Sequence, residues 1–294
     1  MNDYEKGWRS DNEGNLIANL KPSIFGKKEE SLYVNSNNER NLYNKEVGGA
    51  NRVTLLGLMT KLNLITWDRY VLNKNKTIDN VQTLITQSFR TSNNILIKKN
   101  TSLNDYWFNF GKFKELKKGQ CLFVYMPLKT VKRSNIDKYC RVILSLFING
   151  KETELVISCP MDIFEKAYES IKIKDLKKEG NKFKAIAGGF IKKNNKGFRE
   201  FISIEFMPII EQGLWCESSH ENIVYSKLIK ENRLFSKGYK PIDIYGNFIP
   251  DIIFRDTKKP CYGEVFGIRS VDVYNERKEE KKKLAQKSKN MFDF

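Results

Sequence analysis

The sequence predicts a mixed protein of the α+β or α/β class, in which a helical and β-rich region precedes a smaller C-terminal domain. Apolar residues recur every three or four positions over residues 52–64, which is typical of a helix. Segments rich in Val, Ile, Leu and Phe follow between residues 120 and 208, as in β-strands. From about residue 212 the order becomes helix, three strands, helix and strand. The 294 residues therefore divide into segments 1–50, 51–210 and 211–294.

Composition favours a polyanionic partner. Lys and Arg number 52 and Asp and Glu 35, which gives a formal net charge of +17. An excess of this size favours nucleic acid, the commonest polyanion that proteins bind. The alternative is a compositional bias toward lysine, so basicity alone does not decide between the two.

Several classes of protein are excluded. No segment approaches the roughly 18 consecutive apolar residues of a membrane helix, and the first ten residues lack the apolar core of a signal peptide. The five cysteines never form a C-x-x-C pair, which predicts reduced thiols and a cytoplasmic location. His220 is the only histidine, so sites that need two imidazoles are excluded. Phosphate-loop and G-x-S-x-G motifs are missing, so any catalysis must use carboxylates, lysines and a hard metal ion.

The N-terminal segment is polar and predicts a loosely packed arm over residues 1–50. The helix at residues 52–64 is followed by a second at 78–89, with Thr77 or Asp79 as its N-cap. Four aromatic side chains come next, at Trp107, Phe108, Phe110 and Phe113. Burial in the core is the simpler interpretation, and a platform for stacking bases is the alternative.

The middle of the chain is β-rich. Strands are predicted at residues 120–126, 141–149, 154–158, 182–191 and 198–208. An amphipathic helix is predicted at residues 161–171. The last two strands would form a hairpin, because the Asn and Gly residues between them suit a turn that needs positive φ.

The C-terminal domain has a different order of predicted elements. Its first helix would begin at Ser218 or Ser219 and end near residue 231. The remaining elements are predicted as strands at 239–245, 248–255 and 261–266, a basic helix at 271–287 and a short strand at 291–294.

Two carboxylates lie on neighbouring strands of this domain. Asp251 follows Pro250, and Glu264 comes after an interval of twelve residues. Adjacent strands are about 4.8 Å apart, so side chains at facing positions can share one divalent cation. Mg²⁺ is typically held by one or two carboxylates, water and a substrate phosphate. Mg²⁺ or Mn²⁺ bound there could polarise a phosphodiester and activate an attacking water.

This pattern, within a helix-plus-three-strand order, resembles the PD-(D/E)XK nuclease superfamily, whose core is a restriction-endonuclease-like αβββαβ fold. More narrowly, the chain resembles an uncharacterised domain family of bacterial mobile and conjugative elements. The residues that carry this narrower resemblance are Pro250-Asp251-Ile252-Ile253-Phe254, Glu264-Val265-Phe266-Gly267, Tyr274, Arg277, Lys278 and Lys281.

The resemblance implies a role for each matching residue. Asp251 and Glu264 would be metal ligands, with the main-chain carbonyl of Val265 as a third oxygen. Glu221 would complete or orient the metal site. Ser218-x-x-Glu221 is also the pattern of a capping box, so a structural role for Glu221 is equally consistent with the sequence.

The lysine of the family motif is replaced by Phe266. Lys281 is the candidate for its role at the scissile phosphate, with Arg277 one turn earlier on the same helix face. Together with Lys278 and Lys282 these residues would contact the DNA backbone. The same helix also contains three glutamates, so it could instead be an ordinary solvated face.

The sequence therefore predicts a Mg²⁺- or Mn²⁺-dependent DNA endonuclease that processes mobile-element, plasmid or phage DNA, alone or with other proteins of a complex. The alternative is a catalytically degenerate nuclease fold that binds DNA in a transfer, replication or packaging complex. A third interpretation is a structural protein whose charge has no function.

Overall fold

The computed structural model describes residues 7–11, 14–25, 52–98, 100–133, 138–148, 151–170, 184–239, 249–265 and 291–293. These residues form a mixed α+β protein with five α-helices, two four-stranded sheets and a closed five-stranded barrel. Within this part of the chain, none of the helices is both long and apolar enough to cross a membrane.

The N-terminal sheet corrects the expectation of a loosely packed arm. Strands β1 (Trp8–Ser10) and β2 (Leu16–Ala18) form an antiparallel pair. Strand β2 also pairs in parallel with β3 (Ile95–Lys98), which pairs with β4 (Thr101–Ser102). A strand that is completed by a partner so distant in sequence leaves no local pattern to recognise. Residues 26–51 of the expected arm lie outside the described residues.

The central helix, α1, spans Leu55–Lys74 and begins at the N-cap Thr54, whose hydroxyl accepts the Gly57 N–H at 3.0 Å. Asn75 ends it with φ 50°. The predicted helix is confirmed but is longer than residues 52–64. Residues 57–68 of α1 are all buried, polar side chains among them, so the helix lacks the one-sided apolar pattern from which its full length could be predicted.

The next two helices are short and capped by asparagine. Helix α2 (Val81–Thr91) begins at Asn80, so the prediction of Thr77 or Asp79 as its cap was wrong. Helix α3 (Phe110–Glu115) begins at Asn109. The aromatic group around α3 is confirmed as core, because three members are buried and only Phe110 is substantially exposed.

The β-rich middle closes into a barrel. Its strands are β5 (Leu122–Arg133), β6 (Tyr139–Ile148), β7 (Lys151–Pro160), β8 (Ala185–Lys193) and β9 (Arg199–Pro208). Their order around the barrel is β5-β6-β7-β9-β8, with β7 and β9 parallel and the other pairs antiparallel. The predicted helix between β7 and β8 is confirmed as α4 (Met161–Ser170). The predicted β8–β9 hairpin is also confirmed, and Gly197 adopts φ 80° in its turn.

The C-terminal sheet follows helix α5 (Ser219–Lys230). Its strands are β10 (Phe235–Ser236), β11 (Ile252–Phe254), β12 (Cys261–Glu264) and β13 (Met291–Asp293). Strands β10, β11 and β12 are antiparallel, and β13 runs parallel to β12.

Strand β10 is a pairing that the sequence did not predict. Its residues Phe235 and Ser236 pair with β11 and lie before the strand predicted at residues 239–245. Residues 240–248 and the expected helix at 271–287 lie outside the described residues.

Helix α1 joins the barrel to the C-terminal sheet. The Asn63 amide donates to the Tyr125 hydroxyl at 3.2 Å and to the Gly213 carbonyl at 2.8 Å, and its oxygen accepts the Trp215 N–H at 2.9 Å. Further along the helix, the Asp68 carboxylate accepts hydrogen bonds from Ser236, Tyr239 and Arg255. One apolar core accordingly runs from the N-terminal sheet through α1 to β12.

We expect Asn63→Leu to lower the free energy of unfolding by about 3 kcal/mol, because it leaves three buried polar groups without the partner they have in the native protein. The matched control, Asn73→Leu on the exposed face of the same helix, should stay within about 0.5 kcal/mol of wild type. Urea unfolding monitored by circular dichroism measures both. Equal stability of the two variants would contradict the role given to Asn63.

Candidate functional site

The C-terminal sheet brings Asp251 and Glu264 to neighbouring positions. Ile252 pairs with Gly263, so the same antiparallel register, continued by one residue, sets Asp251 opposite Glu264. The Val265 N–H donates to Asp251 Oδ2 at 2.9 Å and fixes the orientation of that carboxylate. The Glu264 side chain is only 1% exposed, so its carboxyl lies within the protein.

Glu221 lies at the start of α5, facing the same region. Its N–H donates to the N-cap hydroxyl of Ser218 at 3.1 Å. Its carboxylate accepts the Glu217 N–H at 2.8 Å, one residue before the cap. The capping interpretation is therefore confirmed for the Ser218 bond, while the reciprocal bond goes to Glu217 and not to Ser218 itself.

A buried lysine that sequence analysis missed forms the centre of the site. Lys237 directly follows β10, and its side chain is 4% exposed. Its ammonium lies 2.6 Å from Glu221 Oε2 and 3.3 Å from Glu217 Oε2. It also lies over the rings of Trp215 and Tyr225, at 4.4 and 5.6 Å from their centroids. No pattern marks this lysine in a sequence so rich in lysine, because its burial depends on where β10 pairs.

Tyr225 links α5 to the second strand of the sheet. Its hydroxyl donates to the Asp251 carbonyl at 3.2 Å. Burial raises the pKa of Tyr225 well above its ordinary value, so the phenol stays protonated and keeps this bond. The bond ties the Asp251 backbone to the helix that carries Glu221.

The electrostatics of the site depend on the Glu221–Lys237 pair. Burial raises the pKa of Glu221, the Lys237 ammonium opposes this rise, and the charges of Glu217 and Asp251 add to it. Burial lowers the pKa of Lys237, but the surrounding anionic groups more than offset this and raise it above its usual value. The lysine is therefore charged at neutral pH and compensates the nearby carboxylates.

Most of the other predicted site residues cannot be placed. His220, the one histidine of the sequence, is exposed on α5. Phe266 and the basic residues of the expected last helix lie outside the described residues, namely Arg277, Lys278, Lys281 and Lys282.

The described residues contain no group of three or more His, Cys, Asp or Glu side chains arranged to hold a metal ion. Asp251 and Glu264 are the two carboxylates that the β11–β12 register, continued by one residue, sets opposite each other, and Glu221 is engaged by Lys237. A pair of carboxylates is sufficient for Mg²⁺, which commonly retains water and binds substrate phosphate in its remaining positions.

Comparison of the chain with protein families and with curated proteins finds no match. The site is therefore interpreted from its own geometry.

We expect Glu221→Gln and Lys237→Met each to lower the free energy of unfolding by about 3–5 kcal/mol. Lys237→Met leaves Glu221 buried without its cation, and Glu221→Gln leaves Lys237 with only the half-exposed Glu217. The double variant should lose less free energy of unfolding than the sum of the losses in the two single variants. The matched control is Lys227–Glu231, an exposed pair on the same helix at 3.9 Å, whose coupling should be about 0.5 kcal/mol or less. Additive losses at Glu221 and Lys237 would show that the two charges do not interact.

The folding stability of the Lys237→Met variant should also depend on pH more strongly than that of wild type. Without the ammonium, the pKa of Glu221 rises further above the ordinary carboxyl value of 4.5. A carboxyl whose folded pKa is raised contributes stability at low pH that is lost as pH rises through that pKa. We therefore expect the free energy of unfolding of Lys237→Met to fall further below that of wild type as the pH is raised from acid to neutral. In the double variant with Glu221→Gln, this pH-dependent fall should disappear.

Proposed function

We propose that this protein is a metal-dependent DNA endonuclease whose site is formed by Asp251, Glu264 and the charged residues around them. The observation that carries the proposal is the register of β11 and β12, which sets the two carboxylates opposite each other with Asp251 oriented by the Val265 N–H. Carboxylates on adjacent strands are the ligands that a hard divalent cation prefers.

The residues present fit such a cation. Asp251 and Glu264 would hold Mg²⁺ or Mn²⁺, with the Val265 carbonyl as a further oxygen ligand. When bound, the ion would supply a Lewis acid that polarises the phosphodiester and makes a bound water more acidic. The large positive charge of the chain, +17, would offset the repulsion between this acidic site and DNA.

The protein's own residues would position the site. The buried ammonium of Lys237 holds Glu221 and Glu217 in place, and the Tyr225 hydroxyl holds the Asp251 backbone. Lys237 therefore acts as a positioning residue. Contact with the scissile phosphate is assigned to Lys281 or Arg277, and backbone contacts to Lys278 and Lys282.

The state of the thiols supports a cellular setting. None of the five cysteines, all of them within the described residues, forms a disulfide, and reduced thiols are normal in the cytoplasm. We propose that the protein acts there on mobile-element, plasmid or phage DNA, alone or within a DNA-processing complex.

A second candidate function is DNA binding without cleavage. It is favoured by the Glu221–Lys237 ion pair, because that pair occupies a carboxylate that a fuller metal site would use. The two functions differ in their requirement for a metal ion.

The deciding experiment is cleavage of linear, supercoiled and single-stranded DNA with Mg²⁺ or Mn²⁺, with EDTA as a blank. We expect metal-dependent cleavage that falls by at least about 100-fold in Asp251→Asn and in Glu264→Gln, since each removes a ligand charge. The control variant, Asp79→Asn with Glu231→Gln, removes two exposed carboxylates and should cleave as wild type does.

The possible outcomes separate the candidates. DNA binding without metal-dependent cleavage by wild type would favour the binding protein. Cleavage that persists unchanged in both Asp251→Asn and Glu264→Gln would place the active site elsewhere. Near-ultraviolet circular dichroism of each variant checks that it is folded.

A further inference from the structure

The barrel carries a groove that the proposed nuclease site does not use. Its strand order, β5-β6-β7-β9-β8, with α4 between the third and fourth strands, is the Greek-key order of an OB fold. In such barrels, oligonucleotides bind across the second and third strands, between the loop that joins strands one and two and the loop that joins strands four and five. A fold alone does not establish a function, so the groove must be argued from its residues.

The groove lies at the end of β5 and the start of β6, beside the β8–β9 turn. It has a volume of about 640 Å³ and is open to solvent. Its lining comes from the end of β5, the start of β6, the end of β7, the turn of the β8–β9 hairpin and the start of β9. Its charged and aromatic lining residues are Lys132, Arg133, Tyr139, Arg141, Lys196 and Glu200.

Positive charge dominates this lining. Lys132 and Arg141 are exposed at directly paired positions of β5 and β6, so their side chains share a face. Lys196 adds a third exposed cation from the hairpin turn, and the Arg133 guanidinium lies 4.8 Å from the centroid of the Phe164 ring. The acidic member is Glu200, which forms an ion pair with Lys192 at 3.2 Å.

Aromatic side chains accompany the charge. Tyr139 lines the groove and is 44% exposed. Phe198, at the end of the β8–β9 turn, is 64% exposed. Exposed aromatic rings beside a basic groove are the combination that binds single-stranded nucleic acid, because phosphates contact the cations and unpaired bases stack on the rings.

We propose that this groove binds single-stranded DNA, with phosphates on Lys132, Arg141 and Lys196 and a base stacked on Tyr139. Stacking on Tyr139 requires an unpaired base, which a duplex does not offer. The choice of DNA over RNA rests on the proposed function, whereas the affinity for a single strand rests on the groove alone.

The test is fluorescence anisotropy with a labelled oligodeoxythymidine of about 15 nucleotides, a length that matches the site sizes of OB folds. EDTA is present so that cleavage cannot occur. We expect Lys132→Gln with Arg141→Gln to weaken binding at least about tenfold and to reduce the slope of log affinity against log salt by about 1.4, the loss of two phosphate contacts. Tyr139→Leu should weaken binding roughly fivefold to tenfold through lost stacking.

The matched control is Lys74→Gln with Arg90→Gln, which removes the same two residue types from exposed positions of α1 and α2. It should bind with nearly wild-type affinity. An equal loss in this control, or wild-type affinity in the groove variant, would overturn the proposal. If a DNA duplex, or an RNA of the same length, binds more tightly than the oligodeoxythymidine, the assignment of single-stranded DNA as the ligand is overturned.

Failure of this proposal can be distinguished from failure of the nuclease. Asp251→Asn should bind the oligonucleotide as wild type does, because Asp251 does not line the groove. Groove binding in a protein that never cleaves DNA would support the groove and count against the endonuclease. If the groove variant cleaves DNA and also binds the single-stranded oligonucleotide as tightly as wild type does, the groove proposal is overturned and the nuclease proposal is not.

Discussion

The structure depends on a helix that is buried on almost every side and still carries polar side chains. Helix α1 contacts α2, the barrel strands β8 and β9, and strand β10 of the C-terminal sheet. A helix in that position can keep polar groups only if each has a partner, since an unsatisfied buried group costs about 1–3 kcal/mol. Asn63 and Asp68 meet this condition with partners on different elements. They therefore fix the position of barrel and sheet more specifically than apolar contact would.

The same principle governs the candidate active site. Lys237 and Glu221 are both buried, and each is tolerated because the other compensates its charge. The surrounding rings of Trp215 and Tyr225 exclude water, which strengthens the pair. A site of this kind holds its carboxylates rigidly before any ligand arrives. The carboxylates that Lys237 holds in this way are those of Glu221 and Glu217.

The two proposed sites have opposite charge. The C-terminal sheet gathers acidic groups and would need a cation to approach DNA, whereas the barrel groove presents cations to solvent. Because α1 packs against the barrel strands β8 and β9 and against β10, the barrel and the C-terminal sheet belong to one body with a shared core.

The sequence by itself determined the mixed α+β class, the positions of α4 and α5, the β8–β9 hairpin and the spacing of Asp251 and Glu264, because these depend on local periodicity, caps and turns. Tertiary structure decided the rest. The pairing of β2 with β3, the pairing of β10 with β11 and the closure of the barrel join residues far apart in the chain. Lys237 is the clearest example of a site residue that cannot be predicted from the sequence. Nothing in its neighbours distinguishes it from the other lysines, and only the packing of β10 against α5 places its charge among carboxylates.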